Sequence, residues 1–298
     1  MTDTFETLIE HWKADPGSTY QTWFLWGDRL KNFRSIRRGI TQVAQDIHAG
    51  TFGNCYRGST LETVVSSIAE QRQIFKGADH AFLWKPKLRI PDIYEHADNQ
   101  KAFARLLHAC NCCDTAEQVI AEIQRIDALK IKGLGPATAN LLYFIHPTLI
   151  TPFNTAIVNG FNAATGSKVK LGRWDHYLTM RTSLLALNQR FRTLLSNDLG
   201  AIAGLMFDLG QQRYPAPPLH PGANATAACM QALAQVQSDA QSALKQKLII
   251  QQQDASHTDM QGWLRDLGLA LGFQVWIAAN DRSREFNGSP LSDGCLQT

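Results

Sequence analysis

Residues 131 to 140 read Ile131-Lys132-Gly133-Leu134-Gly135-Pro136-Ala137-Thr138-Ala139-Asn140. Two glycines around one apolar residue, set between two helical patterns, suit a tight hairpin. Its backbone N–H groups would point outward at the mouth of a helix. Such a hairpin can hold a phosphate without reading base sequence. Lys130 and Lys132 flank it and could add positive charge. The competing reading is a turn that packs against protein. A second chemically suggestive group is His108, Cys110, Cys112 and Cys113. Their spacing fits no usual zinc set, so no metal centre is expected.

Charge and aromatic residues are unevenly spread. Arg29, Lys31, Arg34, Arg37 and Arg38 crowd one segment, and Lys85, Lys87 and Arg89 another. Each cluster alone reads as a solvated face. The net charge of +3 is too mild to imply a polyanionic partner by itself. Trp23, Phe24 and Trp26 lie close together and could stack on a flat ligand, although such clusters more often fill cores. The hydrophobic fraction of 44% and charged fraction of 18% are those of a soluble globular protein. The opening residues are polar and acidic, unlike a secretory signal, and no apolar run approaches spanning length. A cytoplasmic location with six reduced cysteines is the expectation.

Elements must hold these residues in place. Leu61, Val64, Val65, Ile68 and Ala69 recur at helical spacing, as do Val119, Ile120, Ile123 and Ile126. Thr115 and Gln118 make a capping-box start, with Asp114 as the rival cap. Leu199 to Leu209 reads as an apolar helix introduced by Asn197-Asp198 and ended by Gly210. Period-two alternation is scarce, so a mainly α first domain is expected over residues 1–214. Residues 215–222, rich in proline, read as a stiff linker. Residues 223–298 form a C-terminal segment. There, Ala223 to Gln253 is one long helix, with glutamine-rich disorder as the competing reading. His257 to Leu271 predicts a second amphipathic helix, and Phe273 to Ala279 a strand. No internal repeat is found.

With its hairpin, Thr138-Ala139 and downstream Pro152-Phe153-Asn154-Thr155, the stretch from Gly58 to Gly210 resembles the helix-hairpin-helix (HhH-GPD) DNA glycosylase superfamily. The Gly-Pro-x-Thr-Ala form is closest to its alkylated-base branch. The resemblance implies an all-α fold of two lobes that anchors double-stranded DNA at the hairpin and flips a base into a cleft. Gly133, Leu134, Gly135 and Ala137 would lend amides to phosphates, with Lys130, Lys132 and Thr138 beside them. A monovalent cation could sit on the hairpin carbonyls. Gln71, with Arg72 or Gln73 as neighbours, would plug the gap left by the flipped base; an exposed helix end is the bland alternative. Phe153, Trp26 and Tyr143 would line the base pocket.

The same resemblance exposes what is missing. The family's catalytic aspartate falls on Asn154, whose amide carries neither full charge nor a base near neutral pH. The lysine of strand-cleaving relatives falls on Ala137, so lyase activity is not expected. Only Cys229 lies where a cluster-binding cysteine pattern would follow, so no iron–sulfur cluster is expected. Asp208 and Asp198, with Asp175 behind them, are the acids that could substitute.

A weaker likeness lies in His257-Thr258-x-x-Gln261, Trp276 to Arg282 and Phe286-Asn287-Gly288. These resemble the opening of a restriction-endonuclease-like domain. No Glu-x-Lys pattern follows, so Asp281 and Glu285 read as surface charges. Three functions are thereby in play. The first is a monofunctional glycosylase that excises a damaged or modified base, in defence against modified foreign DNA. The others are a non-catalytic DNA-binding module of a restriction or defence system, and a helical interaction scaffold. A monomer is expected in each case.

Overall fold

The computed structural model describes residues 4–71, 73–75, 78, 82, 92–218 and 223–296. The chain is mainly helical, as expected. Helices α1 (Thr4–Ala14), α2 (Arg29–Ala49) and α3 (Thr60–Ala69) are followed by α4 (Ala97–Cys112), α5 (Ala116–Ala128) and α6 (Ala139–Ile145). Then come α7 (Thr155–Thr165), α8 (Trp174–Arg190), α9 (Gly200–Gly210) and α10 (Ala223–Ala270). Among the described residues no helix is long and apolar enough to cross a membrane.

Local sequence explains several boundaries. The α2 stripe of Phe33, Ile36, Ile40, Val43 and Ile47 is buried at helical spacing, and Gly50 at φ 73° ends the helix. Ser59 caps α3 by accepting the Glu62 amide. Thr115 and Gln118 form a complete capping box at the start of α5. Helix α9 begins at Gly200 without a side-chain cap at the preceding Leu199; the Asp198 carboxylate accepts the Gly200 amide at 2.8 Å.

The chain divides into two compact units, Met1–Gln237 and Ser238–Thr298, with the division inside α10. In the first unit one continuous core includes Leu8, Trp12, Phe103, Leu142 and Tyr177. The closest helix pair is α7 on α9. A Cβ on Gly160 would lie 1.8 Å from the Met206 carbonyl oxygen, and one on Gly210 1.8 Å from that of Ala156. Only glycine lets these backbones touch. Tyr214 is buried and its hydroxyl donates to Asp15, so the start of the proline-rich stretch is packed onto this unit.

Two expectations for the C-terminal part are corrected. The predicted break near residue 254 does not occur, and α10 runs unbroken to Ala270. Nothing between Gln253 and His257 stops a helix; the first terminator is Gly272, at φ 79°, whose amide bonds the Leu269 carbonyl. Phe273 to Ala279 is not a strand. Among the described residues no neighbouring strand covers it, and the backbone bond that reaches it from the end of the chain runs from the Leu296 amide to the Val275 carbonyl. The strands found are β1 (Glu285–Phe286) and β2 (Ser289–Pro290), a two-residue antiparallel hairpin. The second unit's own core is Ile277, Phe286 and Leu291.

Candidate nucleic-acid interface

Helix α5, a tight turn and the short helix Pro136–Thr138 leading into α6 build the hairpin. Lys130 (φ 50°) and Gly133 (φ 82°) take the left-handed conformations that turn the chain. The Leu134 amide closes the turn onto the Ile131 carbonyl at 3.2 Å, and Leu134 itself is buried. The Thr138 amide bonds the Gly135 carbonyl at 3.0 Å, and its side chain is buried too. Among the described residues the amides of Gly133 and Gly135 have no protein acceptor. Gly133 is exposed and Gly135 partly so. Asp92 braces the turn from the side: its amide donates to the Lys132 carbonyl at 3.0 Å and its carboxylate accepts the Lys132 amide at 3.3 Å. The carbonyls of Ile131, Lys132 and Gly135 thus each accept one hydrogen bond.

Charge around the hairpin is supplied from two places. Lys132 is exposed, whereas exposed Lys130 pairs with Asp127 at 2.9 Å. The loop 166–173, after α7, lies beside Gly135: a Cβ there would be 3.9 Å from the Gly172 carbonyl oxygen. This loop carries Lys168, Lys170 and Arg173. Asn162 clamps it through both the amide and the carbonyl of Val169, each at 2.9 Å, and His176 accepts the Lys170 amide at 2.9 Å. Arg173 is paired with Asp175, and its hydrogen-bonded guanidinium pulls that carboxyl's pKa down to about 2. The loop lysines were not singled out from sequence; glycines at 166 and 172 bracketing two lysines are the signal that could have found them.

The candidate catalytic residues are all engaged in holding the fold. Asn154 caps α7, accepting the Ile157 amide at 2.9 Å, while its Nδ2 donates to the Ile74 carbonyl at 2.6 Å. Only an amide can make both bonds, because a carboxylate would face the Ile74 oxygen with no proton to offer. We therefore expect Asn154→Asp to keep the cap and lose the Ile74 link, at a cost of about 1 kcal/mol. Asn154→Ala, which loses both, should cost about 2 kcal/mol. Denaturant midpoints of the two variants would check this order; an aspartate as stable as the asparagine would refute the link.

Asp208 is fully buried and saturated. It accepts the Trp12 indole N–H at 2.8 Å, the Thr19 amide and hydroxyl at 2.7 Å each, and Arg213 at 2.9 Å. Asp198 accepts the Tyr143 hydroxyl at 2.8 Å and ion-pairs with Arg29. Arg29 lies 4.3 Å from the Phe24 ring centroid and 4.9 Å from those of Trp23 and Phe33. Burial pulls its guanidinium pKa down, but Tyr143 and Asp198 outweigh this and raise it. Burial first, then Asp198, hold the Tyr143 hydroxyl pKa well above its usual range. These three side chains clasp α2, α6 and the start of α9.

The proposed pocket and plug residues are also placed differently. Tyr143 and Phe153 are core residues, with Phe153 edge-on to Tyr177, so neither offers a face to a flipped base. Trp23 is buried against Phe75, whereas Trp26 is half-buried. Gln71 is only 1% exposed, so it is not the exposed helix end. Arg72 lies outside the described residues, as does the side chain of Gln73. Ala137 is partly exposed beside the hairpin. Of the basic cluster, Arg37 spends its guanidinium on the Phe144 and Ile145 carbonyls at the end of α6, at 2.6 and 3.0 Å.

Among the described residues, Asp92, Glu95 and His96 could together reach one metal ion, their ligand atoms lying within 4.8 Å. Asp92 is already committed to the hairpin. In the second unit Asp281 is tied to Arg284 and Gln261, each at 3.1 Å, and Glu285 is exposed.

Residues 236–297 match the family model described as the Type II restriction enzyme NmeDI C-terminal domain. The C-terminal segment is thus similar to part of a restriction enzyme, and the match speaks for that segment alone. No curated protein and no solved structure matches the chain.

Proposed function

We propose that the chain is a non-catalytic DNA-binding component of a restriction or defence system, gripping duplex DNA by its phosphates. The observation that carries this reading is the hairpin, with the free Gly133 and Gly135 amides beside Lys132 and the Lys168–Lys170 loop. These are phosphate-binding groups with no means of reading bases. The restriction-type C-terminal segment supplies the biological setting. Base excision is the rival reading. It is disfavoured because the side chains singled out for that chemistry, Asn154, Asp198 and Asp208, are each engaged in structural bonds.

The test measures affinity for a fluorescent duplex as salt is raised. Each phosphate contact contributes about 0.9 to the log–log slope, so Lys132→Ala should lower the slope by about one unit across unrelated sequences. A wild-type affinity indifferent to salt would favour the scaffold reading instead. In parallel, duplexes carrying varied modified bases are incubated with the protein and treated with alkali. No strand breaks are expected, and breaks at any modified base would replace this proposal with the glycosylase.

A further inference from the structure

The second unit is covered on one side and bare on the other. Toward its small core, a Cβ on Gly262 would meet the Phe286 ring at 2.2 Å. Arg265 is only 6% exposed and donates to the Pro290 carbonyl at 2.9 Å. Another face of the same helix carries Met260, Trp263, Leu264 and Leu267, with Leu271 one residue past its end, at spacings of three, four, seven and eleven from the first. All are between 56% and 64% exposed, and Phe273, just past the helix, is 65% exposed. Together they present roughly 700 Å² of apolar surface, above the few hundred expected on a monomer and near the ~800 Å² each partner buries in a standard interface.

We propose that this stripe is a dimerisation face covered by the same stripe of a second copy of the chain. Three observations select that occupant. The stripe holds no charged side chain, and strongly apolar, aromatic- and methionine-containing faces typify homodimers. The second unit carries seven acidic residues and five basic ones, so its bare face does not suit a polyanion. Its core of Ile277, Phe286 and Leu291 is very small for a unit of this length, and pairing would supply the burial that it lacks. A two-fold arrangement satisfies both stripes at once without leaving a surface open to polymerisation.

Sedimentation of the full chain between about 1 and 100 μM tests this. The expected result is concentration-dependent passage to twice the 33.2 kDa chain mass. Leu267→Glu and, separately, Leu264→Glu should raise the dimer dissociation constant at least 100-fold with far-UV circular dichroism unchanged. Leu248→Glu, on a different face of α10 and also exposed, should leave it unaltered. A monomer at every concentration overturns the proposal, and so does a dimer indifferent to the stripe variants. Should a glutamate variant lose helicity, Leu271→Gln at the helix end decides on the same two outcomes.

Discussion

Asp208→Ala is expected to lower the first unit's unfolding midpoint by roughly 6–12 °C, the shift produced by a loss of about 3 kcal/mol in a domain of this size. The substitution strands the Trp12 indole, both Thr19 donors and Arg213 around an apolar void. Most of the effect comes from the buried Trp12 and Thr19 groups; Arg213 is 36% exposed and can recover water. Well below the midpoint, the variant should bind DNA with wild-type affinity and salt slope. A variant that melts with the wild type would show that this carboxylate does not hold α1 and α9 together.

Gly160→Ala is the second large effect, and its sign runs against ordinary helix energetics. In an unconstrained helix interior the change gains about 1 kcal/mol from propensity. Here the new methyl would sit 1.8 Å from the Met206 carbonyl oxygen and 2.8 Å from the Gly210 amide nitrogen, both backbone atoms. Neither can rotate away, so α7 must lift off α9. A loss of about 3 kcal/mol or more is expected, read as a lower denaturant midpoint. The same movement would carry Asn154 away from Ile74, linking helix packing to the site's geometry. A stabilised variant would show that the two backbones are not in contact.

What could be read from sequence was mostly local. The Thr115–Gln118 capping box and the glycine hairpin are written within a few residues, and the structure reproduces both. Roles set by distant partners were not legible. Asp208 is hydrogen-bonded by Trp12 and Thr19, nearly two hundred residues away in the chain, and only its partner Arg213 lies near it in sequence. Gln71, at the end of an amphipathic helix, reads as accessible, yet the fold closes over it. Phe273 to Ala279 has the composition of a strand, but a strand also needs a neighbour, and composition cannot supply one. The continuity of α10 follows from the absence of any helix terminator before Gly272, a simpler criterion than the change in polarity near residue 254.

The double bond from Asn162 to Val169 separates the path of the 166–173 loop from its charge. The backbone is held by one asparagine on α7 and one histidine on α8, while among the described residues the lysine side chains at 168 and 170 make no bond that holds it. Charge at those two positions can therefore be exchanged, reversed or removed while the loop keeps its course beside Gly135. The loop is a mount on which affinity for a polyanion can be retuned by point substitution, at almost no expense to folding.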